Sequence, residues 1–209
     1  MEPISFLQHQ VLDAAKHRTP LRLRGSGSKD FYGETARGEM LDLSAHQGFV
    51  SYEPTELVVT VKSGTPLAML EETLAEHRQM LAFEPPHFGP QATVGGMIAA
   101  GLSGPRRATA GAVRDYVLGL SLIDSRGQVL RFGGEVMKNV AGYDISRLNV
   151  GALGTLGVIT EVSIKVWPMP AASETLWLAM DASTAIDQLN RWAAEPWPLT
   201  GSAWVDGHL

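Results

Sequence analysis

The chain has 209 residues, 44% of them hydrophobic and 19% charged, with a net charge of −5 and no cysteine. That length and apolar share allow one substantial buried core or two small ones. The acidic balance, with basic residues scattered apart from Arg106-Arg107, leaves no field to hold a nucleic-acid backbone, and the missing thiols exclude disulfides, thiolate nucleophiles, cysteine-ligated iron–sulfur clusters and a cysteinyl flavin link.

In chain order, residues 3–18 read as an amphipathic helix with Ile4, Leu7, Val11, Leu12 and Ala15 at helical spacing, ended by Thr19-Pro20. The first twenty residues, with Glu2, Asp13 and Lys16, do not form a signal-peptide pattern, and no apolar run reaches the roughly 18 residues of a membrane span. A cytoplasmic protein is expected. Leu21–Arg24 alternates as a short strand and breaks into Gly25-Ser26-Gly27-Ser28-Lys29, whose successive unobstructed amides, two hydroxyls and a cation from Lys29 or Arg24 match a pyrophosphate; a surface turn is the competing reading. With Asp30 at the third glycine position and no helix opening at once, the loop is neither a Rossmann fingerprint nor a P-loop. Met40–Leu43 and Glu56–Lys62 read as strands, and Thr65-Pro66 opens a helix carrying Leu67, Leu70, Leu74 and His77 along one face. His77 suits the helix end as a dipole complement, with a metal role as the alternative. Met80–Phe83 reads as extended, Glu84-Pro85-Pro86 forms a rigid corner, and His87 after it is either a proton carrier or a solvent-exposed loop histidine.

Glycines and alanines then crowd residues 88–111 without a regular hydrophobic repeat. Gly95, Gly96, Ala99, Ala100, Gly101 and Gly104 offer amides and almost no side chain, which suits a flat or phosphorylated ligand; a tight helix-on-sheet contact with a loop behind it is the alternative. Tyr116–Ile123 and Gln128–Phe132 form a hairpin around Asp124–Gly127, and residues 138–148 suit a loop entering a short helix. Gly151, Gly154 and Gly157 recur every three residues, a spacing that predicts one side of a single helical turn, before the long strand Val158–Trp167 and Pro168-Met169-Pro170. Beyond residue 170, Leu176–Met180, Ser183–Ala193 and Ala203–Val205 read as the first βαβ piece of a further domain that the chain does not complete, or as a small appendage; a C-terminal truncation is expected.

Taken together, Arg24-Gly-x-Gly27, Val61-x-x-Gly-Thr-Pro66, Pro85-x7-Thr93-Val-Gly-Gly-Met-Ile-Ala99, Lys138-Asn-x-x-Gly-Tyr-Asp144, Gly154-Thr-Leu-Gly-Val-Ile-Thr160 and Pro168-x-Pro170 resemble the flavoproteins of the vanillyl-alcohol oxidase and p-cresol methylhydroxylase type. Within that group the chain is most similar to FAD-binding subunits of bacterial glycolate oxidases, relatives of D-lactate and D-2-hydroxyglutarate dehydrogenases, over about residues 19–170. The resemblance implies an α+β FAD-binding domain over residues 1–170, with subdomains of about 1–85 and 86–170, and an incomplete cap over 171–209. It implies that Arg24, Gly25, Ser26, Gly27, Ser28 and Lys29 bind the FAD pyrophosphate. Thr93, Val94, Gly95, Gly96, Ala99, Ser103 and Gly104 would line pyrophosphate and flavin ring, Gly111 and the Asp115 region would continue that wall, and Pro85 and Pro86 would lie beside the isoalloxazine. Gly154, Gly157, Val158 and Ile159 would face the adenosine or ribityl part. Many relatives carry a flavin-linking histidine where this chain has Ser28, so non-covalent FAD is expected. Relatives keep substrate groups and metal-binding histidines largely in the cap and far end; this chain shows no such cluster, and no catalytic residue is assigned. Tyr143, Lys138 and Asn139 are candidates near the flavin edge, or structural loop residues.

The implied function is the FAD-binding subunit of a glycolate or other 2-hydroxyacid oxidase complex, taking up a hydride or relaying electrons from a sister flavoprotein to an iron–sulfur subunit, in the cytoplasm or peripheral at the inner membrane through that complex. A non-catalytic assembly subunit is the alternative. A nucleotide-dependent transferase would need a magnesium-binding carboxylate that the sequence does not offer.

Overall fold

The computed structural model describes residues 3–134 and 142–209. Helix α1 (Pro3–His17) buries Leu7, Val11 and Ala14 and places Lys16 and His17 in its last turn, where cations complement the helix dipole. Strands β1 (Leu21–Arg24) and β2 (Glu39–Asp42) pair in parallel, with Leu21 opposite Glu39 and Arg24 opposite Asp42. Leu7 and Val11 pack with Leu41, Ile123 and Val158 into one core, with Leu21, Leu23 and Leu43 at its edge.

Strands β3 (Phe49–Glu53) and β4 (Val58–Lys62) come next, then α2 (Leu67–Glu76), the short β5 (Gln79–Met80), α3 (Val94–Ala100) and α4 (Arg107–Ala110). The hairpin of β6 (Val117–Ile123) and β7 (Val129–Gly133) turns where expected. Asp124 Oδ1 accepts from the amides of Arg126 and Gln128, and Gly127 takes a positive φ of 69°. The short α5 (Ile145–Leu148), β8 (Val158–Lys165), β9 (Trp167–Pro168) and α6 (Ala182–Ala193) complete the order. Five strands form an antiparallel sheet in the order β3-β4-β8-β6-β7, so it draws on both sides of residue 85 rather than dividing there. Alternation on β4 and β8 sends Val59, Val61, Val162 and Ile164 into a second core with Leu67, Leu70 and Leu74 of α2 and Val94, Met97 and Ile98 of α3. The opposite register carries Thr60 hydrogen-bonded to Ser163 at 2.8 Å.

Several expectations need correction. Strand β3 was not anticipated, because none of its residues is buried and no alternation marks it. Residues 81–84 turn instead of extending: the Glu84 amide donates to Leu81 O, and Glu84 has φ 48°. Gly151, Gly154 and Gly157 lie in no helix. Gly151 and Gly154 sit in turns and Gly157 just before β8, with φ of 80°, 75° and 154°, so their regular spacing reflects backbone conformations that glycine adopts cheaply. Past residue 170 the helix is present but the βαβ unit is not, since residues 178–180 pair with 207–209 through Leu178–Leu209 and Met180–Gly207 hydrogen bonds and Val205 turns back on His208.

One buried group gives this fold a pH dependence. His46 is 5% exposed, and neither ring nitrogen makes a hydrogen bond of good geometry among the described residues. Burial, helped by Lys62 and opposed by Glu161 and the Thr160 backbone, pushes its pKa down. An unfolded chain takes up a proton at this histidine below about pH 6.5 while the folded one resists it, so the stability it supports is present above that pH and is lost as pH falls. Urea midpoints are expected to drop between pH 7.5 and 5.5, and His46→Gln is expected to flatten that drop; an unchanged slope would assign the effect elsewhere.

Candidate cofactor cleft

The cleft begins where β1 runs out. At Gly25 an added Cβ would stand 2.5 Å from Thr93 Oγ1, so only a residue without a side chain lets this loop reach the start of α3. Thr93 is there as the helix N-cap, its hydroxyl accepting from the Gly96 amide at 3.2 Å. Gly27 has φ +80°, and a Cβ on it would meet the Arg24 guanidinium at 2.1 Å. The chain then closes two tight turns, Asp30 N to Gly27 O and Tyr32 N to Lys29 O. Among the described residues the amides of Gly25, Ser26 and Gly27 have no hydrogen-bond partner, so this run of donors is free for an anion.

A cleft of about 430 Å³ lies between this loop, which lines it from Arg22 to Ala36, and a wall made by Thr93, Gly96, Ala99, Ala100 and Leu153. Arg22, Arg24 and Lys29 face it against Asp30 and Glu34, so an acidic protein presents a net positive cleft. Arg22 and Arg24 both pair with Asp30 Oδ2, at 2.8 and 2.9 Å. Lys29 donates to His87 O at 3.3 Å and lies 5.8 Å from the Phe88 ring centre, and burial lowers its pKa. Phe31 meets Phe88 edge to face at 5.0 Å, joining the loop to the corner after Pro86.

The residues expected to hold a cofactor divide in two. Arg24, Gly25, Ser26, Gly27, Ser28, Lys29, Thr93, Gly96 and Ala99 come together around the cleft. Elsewhere the close approach is made by the protein itself. A Cβ on Gly95 would stand 2.8 Å from Ser63 Cβ, one on Gly104 2.6 Å from Glu84 O, and one on Gly154 2.8 Å from Leu23 Cδ1. A Cβ on Gly157 would stand 2.9 Å from Leu122 Cδ1. The first amides of α3 are also taken: Val94 donates to Thr65 O and Gly95 to Ser63 O. The helix-on-sheet alternative therefore describes one face of this stretch and the ligand wall the other. Val94, Val158 and Ile159 are buried in the cores. Ser103 Oγ accepts from the Val113 amide, and Asp115, which a Cβ on Gly111 would meet at 3.0 Å, accepts from Ala112. Pro85 is buried and Pro86 half-buried; neither lines the cleft.

Among the histidines, His77 forms the C-cap of α2 against Tyr52, and His87 Nε2 lies 2.9 Å from Glu71 Oε2. Tyr143 is 94% exposed, while Lys138 and Asn139 lie outside the described residues. No group of three or more potential metal ligands occurs among the described residues. Sequence reasoning missed Arg22, Asp30, Phe31, Tyr32 and Leu153. The alternation that puts Arg22 and Arg24 on one side of β1, with an acid six residues further on, was the available signal for the first two.

Unpaired amides, a guanidinium behind them, hydroxyls of Ser26 and Ser28 at the rim and a wall without side chains at Gly96 and Ala99 fit the pyrophosphate of a dinucleotide. The chain belongs to the FAD binding domain family, whose model matches residues 6–133, and the fold is the α+β one expected. It is 50% identical over 203 residues to glycolate oxidase subunit GlcE of Escherichia coli, covering 97% of this chain and 58% of that protein. Glycolate oxidase subunit GlcD of Bacillus subtilis is 36% identical over 166 residues, 78% of this chain and 35% of that one. A D-lactate dehydrogenase of Archaeoglobus fulgidus is 34% identical over 173 residues, 82% of this chain and 38% of that one. The chain thus spans a little over half of the first and little more than a third of the others. Among solved structures, alkyldihydroxyacetonephosphate synthase superposes with a TM-score of 0.71 at 21% identity over 90% of this chain and 35% of that one, which is a likeness of fold. No helix among the described residues is long and apolar enough to cross a membrane.

Proposed function

We propose that this chain is the FAD-binding part of a subunit of a 2-hydroxyacid oxidase or dehydrogenase complex, with glycolate as the leading substrate, and that it takes up or relays electrons through FAD. The observation that carries the reading is the cleft between the Gly25–Lys29 loop and the Gly96–Ala99 face of α3, in a chain that is half identical to a glycolate oxidase subunit. FAD, when bound, supplies the hydride and single-electron chemistry. The protein's part is binding and orientation. The free amides of Gly25, Ser26 and Gly27 take the phosphate oxygens, Ser26 and Ser28 add hydroxyls, Arg24 and Lys29 balance the charge, and Gly96, Ala99 and Ala100 let the ligand lie against α3. Pro85, Pro86, Ser103, Gly104 and Gly111 are proposed to flank the flavin, and Gly154, Gly157, Val158 and Ile159 to support the wall behind Leu153.

The flavin is held without a covalent bond, because the loop position that would carry a linking histidine is Ser28 and no histidine lines the cleft among the described residues. Residues 1–170 form the FAD-binding domain and 171–209 open a cap. The partners are a sister flavoprotein and an iron–sulfur subunit in a cytoplasmic complex that can sit peripherally at the inner membrane. The test is to purify the protein with and without its neighbouring subunits, record the flavin spectrum, precipitate with acid, and add glycolate or D-lactate. The expected result is a visible flavin absorption band that leaves with the supernatant and bleaches with substrate. Colour retained in the pellet would overturn non-covalent binding. A protein that copurifies with its neighbours but holds no flavin would be an assembly subunit.

A further inference from the structure

We propose that Asp30 is a positioning residue for anion binding in the cleft: its carboxylate holds the Arg22 and Arg24 guanidinium groups behind the Gly25–Gly27 amides, so that removing this negative charge weakens pyrophosphate binding. The proposal rests on the reading of the cleft as an FAD site.

The geometry is specific. Asp30 Oδ2 accepts from Arg22 Nη2 at 2.8 Å and from Arg24 Nε at 2.9 Å, and Arg24 Nη2 lies 2.9 Å from the same oxygen. The amide of Asp30 donates to Gly27 O at 3.1 Å, so the turn that ends the amide run also brings the carboxylate under it. The Arg24 guanidinium lies so close to the backbone that a Cβ on Gly27 would stand 2.1 Å from Nη2, 2.5 Å from Cζ and 2.6 Å from Nε. The cation is therefore packed against the peptide units that would face the phosphates. The side chains involved are 35–41% exposed, so the pairs contribute little to folding. Their effect is on order. Two guanidinium groups side by side repel, and each long side chain has considerable rotamer freedom to lose when an anion arrives; a shared carboxylate removes both obstacles beforehand.

This assignment and simple charge counting predict opposite signs. Asp30 is an anion beside an anion-binding loop, so Coulomb's law alone makes Asp30→Asn bind FAD more tightly. Positioning makes it bind about ten-fold more weakly, the scale of one charge-assisted hydrogen bond lost. The experiment measures flavin dissociation constants of the full chain, freed of flavin by acid ammonium sulfate, by fluorescence titration with FAD and with riboflavin, which lacks the pyrophosphate. Expected are a weakening for FAD in Asp30→Asn, none for riboflavin, recovery in Asp30→Glu, and an unchanged melting temperature of the flavin-free protein. Equal or tighter FAD binding by Asp30→Asn overturns the proposal, as does a loss shared equally by riboflavin or one that Asp30→Glu fails to recover. If the wild-type chain itself binds no FAD, the reading of the cleft fails instead.

Discussion

Gly27→Ala is expected to empty the cleft of flavin while leaving the body of the protein folded. Gly27 has φ +80°, where an L side chain costs roughly 1–2 kcal/mol, and its new methyl would overlap the Arg24 guanidinium at 2.1 Å. Arg24 is flexible and can swing away, so the backbone survives. In swinging away it leaves Asp30 and the place behind the amides, and the loop loses both its shape and its nearest cation. Together the two losses correspond to about a hundred-fold in FAD affinity. A fluorescence titration with FAD reads the effect, and thermal melting of the flavin-free protein shows that the fold persists. Gly48→Ala is the control, since Gly48 also has a positive φ, 121°, but its Cβ would meet nothing within 4 Å and it does not line the cleft. If Gly27→Ala retained the wild-type affinity, the loop would not be where the pyrophosphate sits.

Gly95→Ala is expected to do the reverse, removing about 2–4 kcal/mol of folding stability whether or not FAD is present. Alanine is the better helix former by about 1 kcal/mol, so propensity alone would predict stabilisation. Packing decides otherwise. The new methyl would lie 2.8 Å from Ser63 Cβ and 2.9 Å from Ser63 O, the oxygen that accepts the Gly95 amide at 2.7 Å. Relief requires α3 to lift off the Ser63–Thr65 turn, carrying with it Val94, Met97 and Ile98, all within 1% of complete burial. Gly96→Ala, one residue on, meets only Thr93 Oγ1 at 3.2 Å and faces the cleft; it should keep its stability and lose flavin. Urea denaturation and FAD titration of the two variants read the contrast. A Gly95→Ala protein with wild-type stability would show that α3 does not dock as described.

That pair shows how far the sequence could be read. Glycine and alanine at 95–101 announce that something comes close to the backbone, yet composition does not say from which side. Gly95 answers to Ser63 and Gly101 to Gly151, whereas Gly96 and Ala99 answer to the cleft. Such neighbours lie far apart in the chain, and local pattern carries no trace of them. The strands β4, β6 and β8 were legible because they are buried along almost their whole length and carry apolar and β-branched residues to match; β3, on the sheet edge with no buried residue, was not. The loop at 25–29 was legible for its chemistry, but the ion pairs from Arg22 and Arg24 to Asp30 depend on a turn that only the folded backbone reveals. Glycines at 151, 154 and 157, all at positive φ, imitated a helical period by coincidence of spacing.

The parallel pairing of β1 with β2 has a last consequence. Parallel neighbours need a long crossover, and that crossover is usually a helix that shields the strands. Here residues 25–38 cross over without one, returning at Gly38, where a Cβ would collide with Pro20 O at 2.2 Å. The crossover is itself the ligand-facing loop, so a nucleotide lying in it occupies the place of the absent helix. A nucleotide bound there would stabilise by mass action a lobe that already folds without it, standing in for the shielding that a crossover helix gives elsewhere.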